Sequence, residues 1–81
     1  MTQLTNSQQV LGPYAYYTKL GTLIVRANAG NVTLEVLADQ VGNIWITDQV
    51  FSKDGVHKID VSNSTIRLTP AGGAEFSFLA G

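Results

Sequence analysis

Side chains that could carry chemistry are sparse in this chain of 81 residues. The serines are Ser7, Ser52, Ser62, Ser64 and Ser77, none of them in a G-x-S-x-G elbow, and His57 is the sole histidine that could act as their base. The carboxylates are Glu35, Asp39, Asp48, Asp54, Asp60 and Glu75. A glycosidase needs two of these facing each other across a cleft. Here each has a local explanation: Asp54 suits a turn before Gly55, Asp39 suits the loop after its strand, and Glu35 and Glu75 lie opposite apolar faces. His57 shares a strand face with Ile59 and Val61, the setting of a half-buried histidine rather than of a general base. No D-x-D-x-D-G calcium loop occurs, and Gly72-Gly73 precedes no helical pattern that could cradle a phosphate. Cysteine is absent, which excludes a disulfide framework and a thiolate zinc site, and one histidine supplies no His pair. The inventory predicts no catalytic residues, no cofactor and no metal: the chain reads as a non-enzyme.

The aromatic residues are the remaining functional candidates. Tyr14, Tyr16 and Tyr17 cluster, and Trp45 sits between Ile44 and Ile46. On a strand, side chains alternate between faces. If the isoleucines face the core, Trp45 faces out; if Trp45 faces in, the isoleucines face out. Either way a large apolar surface stays open on that strand unless a loop or an arm covers it. An outward aromatic strip on a β-sheet serves as a sugar-binding platform or as a subunit interface, where Tyr and Trp are enriched.

The elements that must position these residues are strands. Turn signals recur at Leu11-Gly12-Pro13, Leu20-Gly21, Asn28-Ala29-Gly30-Asn31, Gly42-Asn43, Asp54-Gly55, Ser62-Asn63-Ser64 and Pro70-Ala71-Gly72-Gly73. Their spacing is close to the roughly 8–12 residues of sandwiches and barrels. Period-two alternation aligns Val32 with Leu34 and Val36, Ile59 with Val61, Ile66 with Leu68, and Phe76 with Phe78. No segment repeats apolar residues at helical spacing over three turns. The reading predicts strands over 14–19, 22–28, 31–38, 43–50, 56–61, 65–69 and 74–80. Residues 1–12 are rich in Gln, Thr, Asn and Ser without alternation and read as an extended N-terminal arm. The fold class is all-β: one antiparallel β-sandwich over 13–81, jelly-roll-like or Ig-like, of about seven short strands.

Composition points towards a partner. A chain this short buries only about 60–65% of its unfolded surface, and neither disulfides nor metal can supplement it. Charged residues make up 14% of the chain against 44% hydrophobic, so part of the surface is neutral or apolar. The net charge of −1 is dispersed, with no basic patch for nucleic acid. No apolar run approaches the roughly 20 residues of a membrane span, and the first residues do not resemble a signal peptide. The expectation is synthesis in a cytoplasm and self-association, as a homotrimer. Leu4 and Val10, in an arm with little else to bury, are expected to pack on a neighbouring chain. Together with Tyr14, Tyr16, Tyr17 and Trp45 they form the candidate interface.

Residues 30–79 resemble a type of small phage virion protein. The resemblance is carried by the alternating strand Val32 to Val36, the turn Gly42-Asn43, Trp45, Phe51, Asp54-Gly55-Val56, Ile59-Asp60-Val61, Ile66-Arg67-Leu68 and Phe76-Ser77-Phe78. This pattern is similar to the β-sandwich decoration (cement) proteins and head-fibre modules of tailed bacteriophages. The resemblance implies a protein of the virion, made in the host cytoplasm, that docks on the capsid surface, often as a trimer, and clamps neighbouring copies of the major capsid protein. The same pattern resembles carbohydrate-binding modules and fibre domains, and the alternative function is a carbohydrate-binding or adaptor module of a phage tail fibre.

Overall fold

A computed structural model describes residues 4–80. Seven strands follow one another with no helix among the described residues: β1 (Gln9–Leu11), β2 (Leu20–Arg26), β3 (Asn31–Asp39), β4 (Ile44–Phe51), β5 (Gly55–Asp60), β6 (Ile66–Ala71) and β7 (Glu75–Ala80). They form two antiparallel sheets, a four-stranded one in the order β1-β6-β3-β4 and a three-stranded one in the order β5-β2-β7. The predicted all-β, two-sheet class is what the chain adopts.

The pairing has a simple logic. Thr5 pairs with Phe76, Gln9 with Leu68, Leu20 with Asp60 and Val36 with Ile46. Each pair sits at near-mirror positions about Gln40 and Val41. The chain is therefore one long hairpin, bent at residues 40–41 and rolled up so that successive stretches fall in alternate sheets. Rolling adds the lateral contacts of β3 with β6 and of β2 with β7. This is the jelly-roll arrangement rather than the Ig-like one, with its first strand reduced to the single bridge at Thr5.

Alternation accounts for the core. Leu23, Val25 and Phe76 of the three-stranded sheet join Val32, Leu34, Ile66 and Leu68 of the four-stranded one in a single buried cluster, with Ala27 and Val61 added just past the ends of β2 and β5. Gly21 keeps this packing close, since a Cβ there would sit 2.2 Å from the Phe78 ring. At the bottom of the roll the Asp54 carboxylate accepts a hydrogen bond of 2.7 Å from the Ala27 N–H, tying the β4–β5 turn to the end of β2.

Two expectations are corrected. Residues 14–19 form no strand: the Thr18 N–H bonds the Ala15 carbonyl at 3.1 Å, making a tight turn with Tyr16 and Tyr17 at its corner. The chain must cross here from one sheet to the other, and three near-consecutive tyrosines offer no alternation that would hold them in a ladder. The arm, in turn, is part of the roll. Thr5 bonds β7, β1 pairs with β6, and Leu11 packs on the core. Its short polar sequence hid this, because a strand of three residues has room to turn only Leu11 firmly inward. Leu4 and Val10 remain partly exposed, at 41% and 58%, on a segment whose backbone pairs within its own subunit. Met1 to Gln3 lie outside the described residues.

Candidate functional site

The surface of interest grows from the β3–β4 hairpin. β6 accompanies β3 only from Asn31 to Val36, so the rest of the hairpin projects as a two-stranded ribbon. An Asx-type turn closes its tip: the Asp39 carboxylate accepts hydrogen bonds from the N–H groups of Val41 and Gly42. This leaves the Val41 side chain 99% exposed. Two register shifts interrupt the β3–β4 pairing, one at Leu34/Glu35, where Asp48 is extra and β6 is still alongside, and one at Leu37/Asp39 within the projecting ribbon.

Trp45 is opposite Leu37 and Ile46 is opposite Val36. Val36 belongs to the core-facing row of β3, so Ile46 is on the inner side and Trp45 on the outer side of the sheet. The ribbon has outrun the core at this point, and Ile46 is 57% exposed although it lies on the inner side. Ile44 and Val50 are exposed as well. The strand's open apolar surface is thus Ile44 and Ile46 on the inner side and Val50 on the outer side, while Trp45 itself is half-buried.

On the outer face, neighbouring strands complete a cluster around the indole. Glu35 of β3 is opposite Arg67 of β6, and Val10 of β1 is opposite Arg67 on its other side. Arg67 donates from Nε to Glu35 Oε1 at 3.0 Å and from Nη2 to Oε2 at 2.7 Å, a two-pronged ion pair. Its guanidinium lies 4.5 Å from the centre of the Trp45 ring, a cation–π stack. Trp45 Nε1 donates to Asn43 Oδ1 at 3.2 Å. The hydrogen bond from Arg67 is the main reason that the Glu35 carboxyl titrates below the usual range, and the same bond raises Arg67 further.

The other sequence candidates fall elsewhere. Tyr14 lies half-buried against its own core, 6.4 Å from the Phe78 ring, and burial pushes its phenol upward. Tyr16 and Tyr17 are 72% and 74% exposed and meet edge to face at 5.5 Å. Their turn lies at the same end of the roll as the hairpin tip, because β2, β4 and β6 start at that end. Arg67 and Glu35 were not picked out in the sequence. Alternation in Thr65-Ile66-Arg67-Leu68-Thr69 placed Arg67 outward, but its meeting with Glu35 and Trp45 depends on the register of three strands.

At the opposite end, an open depression of about 220 Å³ is lined by residues including Phe51, Ser52, Asp54 and His57. A serine, a carboxylate and a histidine thus share one hollow. They form no relay: the Asp54 carboxylate is engaged by Ala27, and the His57 ring stacks on Phe51 at 4.4 Å. Among the described residues no group of three or more metal-ligating side chains gathers, and no helix is long and apolar enough to cross a membrane.

The fold and this surface define the class: an all-β roll of two antiparallel sheets with an apolar hairpin edge. Comparison with known proteins finds no matching family model, no matching curated sequence and no matching solved structure.

Proposed function

We propose that this chain is a structural binding protein, and within that class a capsid cement protein that docks on an assembled phage shell. The observation that carries the reading is β4, whose Ile44, Ile46 and Val50 are exposed although the core beneath β3 and β6 is closed. A small domain with few charges leaves such a surface bare only at a cost in solubility, and a partner that covers it removes that cost. Jelly rolls build viral shells and lectins alike, so the fold by itself favours neither.

The lectin-like alternative is weakened by geometry. A sugar platform needs an open, flat aromatic face, whereas one face of Trp45 is stacked by Arg67 and the two exposed tyrosines stand at 83° to each other. A cement protein needs no such platform. It binds the assembled lattice and not free coat subunits, and so stabilises the shell by RT ln(1 + [L]/Kd) at each site. Apolar, hydrogen-bonded contacts resist salt, because screening acts on exposed ion pairs and leaves buried contacts largely unaffected. The test is co-sedimentation with assembled shells and with dissociated coat protein, followed by washing in rising sodium chloride. Retention on shells alone, through molar salt, is the expected result. Equal binding to dissociated coat, or complete release by moderate salt, would refute the reading.

A further inference from the structure

Among the described residues the roll has two long free edges, and they are built differently. β5 ends the three-stranded sheet and carries His57, Lys58 and Asp60 along its length. Charges on an edge strand discourage another strand from adding. On the far side, the four-stranded sheet ends in β1, only three residues long, and the Thr5 bridge borders β7. Short edges are equally poor templates. β4 has neither defence over its first half: Ile44, Trp45, Ile46 and Thr47 are uncharged, in a strand of eight residues. Only Asp48, the bulge residue, interrupts it.

The direction of the free backbone groups follows from one bond. The Leu37 N–H donates to the Thr65 carbonyl at 2.9 Å, so the polar groups of Leu37 point towards the β6 side. Leu37 and Trp45 are opposite each other and form a non-hydrogen-bonded pair. The N–H and C=O of Trp45 consequently point away from β3, into the open edge, and those of Thr47 do the same two residues on. Ile46 turns its polar groups inward to Val36.

We propose that β4 is a self-pairing edge: two copies of this chain join antiparallel through Ile44–Thr47 about a two-fold axis at Ile46, making one continuous eight-stranded sheet. What this edge selects is an extended, uncharged strand with its own free donors and acceptors, and β4 itself meets that description. In this register Trp45 of one copy exchanges hydrogen bonds with Thr47 of the other, and the reverse, while the two Ile46 side chains meet on the axis in a non-hydrogen-bonded pair. Asp48 falls opposite Ile44, so no like charges face each other. The contact is isologous and closes at two copies, unlike the three-fold that composition and resemblance predicted. It uses the same exposed strand as the capsid reading: the edge of β4 goes to the second copy, and a coat contact would then fall on the faces of the joined sheet.

The absence of cysteine makes the test direct. Paired Ile46 positions would bring their Cα atoms to about 4.5 Å, within reach of a disulfide. Ile46→Cys is expected to oxidise to a covalent dimer under mild oxidant, whereas Val56→Cys, equally exposed on the guarded β5 edge, stays monomeric on a denaturing gel. Light scattering of the unmodified chain at tens of micromolar should give twice the monomer mass. Ile46→Lys should restore the monomer with an unchanged far-ultraviolet spectrum. A monomer or trimer for the unmodified chain, or equal cross-linking at both positions, would overturn the proposal.

Discussion

Thr5 and Phe76 exchange two backbone hydrogen bonds, 2.7 Å from the Thr5 N–H to the Phe76 carbonyl and 2.9 Å in return. They join residues near opposite ends of the chain and close the outermost turn of the roll. A few residues later the same segment has crossed to pair with β6. It therefore covers one edge of each sheet, and its contribution is structural before it is anything else.

Removal of residues 1–8 should lower stability by at least about 2 kcal/mol, taking each lost backbone hydrogen bond at about 1 kcal/mol. It should also uncover the edge of β7 and promote aggregation. Urea midpoints of the full and truncated chains measure this. An unchanged midpoint would mean that the segment is an accessory arm after all.

The outer-face cluster can be followed through the single tryptophan. Arg67→Ala removes the guanidinium from the Trp45 ring and leaves Glu35 without its partner, so Trp45 emission should shift and quencher access should rise. Arg67→Lys keeps the charge but cannot form the two-pronged pair, and should fall between the two. Identical emission in all three proteins would contradict the stacked geometry.

Acid should act through the same pair. Glu35 titrates below its ordinary value in the folded chain, chiefly because of the Arg67 hydrogen bond. A carboxylate lowered on folding adds stability above its unfolded pKa and loses it as pH falls through the folded one. Asp60, lowered chiefly by the Ser62 backbone N–H, works in the same sense. The thermal midpoint should accordingly drop as pH is taken from about 5 downward, and the drop should be shallower in Glu35→Gln. A steeper drop in the variant would reverse the assignment.

Two glycines should respond very differently to alanine. A Cβ on Gly30 would lie 1.9 Å from the Ala71 carbonyl oxygen, a backbone atom that cannot swing aside. Gly73 has φ +85° but open space around it. Gly73→Ala should cost about 1–2 kcal/mol for the left-handed backbone, and Gly30→Ala clearly more, since the β2–β3 and β6–β7 turns must separate. Denaturant titration of both variants would show it, and equal costs would argue against the close approach.

Side-chain position along β3 and β4 sets a last contrast. Leu34 is fully buried, and Leu34→Ala should cost about 2–5 kcal/mol. Val41→Ala at the hairpin tip should stay within about 0.5 kcal/mol. A large cost at Val41 would mean that the tip is packed against something in solution.

The sequence by itself determined the class of fold and most of the strands. Alternation such as Val32-Leu34-Val36 leaves a sheet with one buried face as the only economical outcome, and regular turn signals leave no length for helices. It also determined that the strand around Trp45 would carry more apolar surface than one core face can hide. Pairing was decided by the tertiary structure, because a strand's pattern states which face is buried and not which neighbour it meets. That Thr5 meets Phe76, that Tyr16 and Tyr17 sit in a crossing turn while Tyr14 packs on the core, and that Arg67 comes to rest between Glu35 and Trp45 all depend on contacts between residues far apart in sequence. The open edge of β4 has the same origin: it is the place where the roll ends and β3 continues beyond the reach of β6.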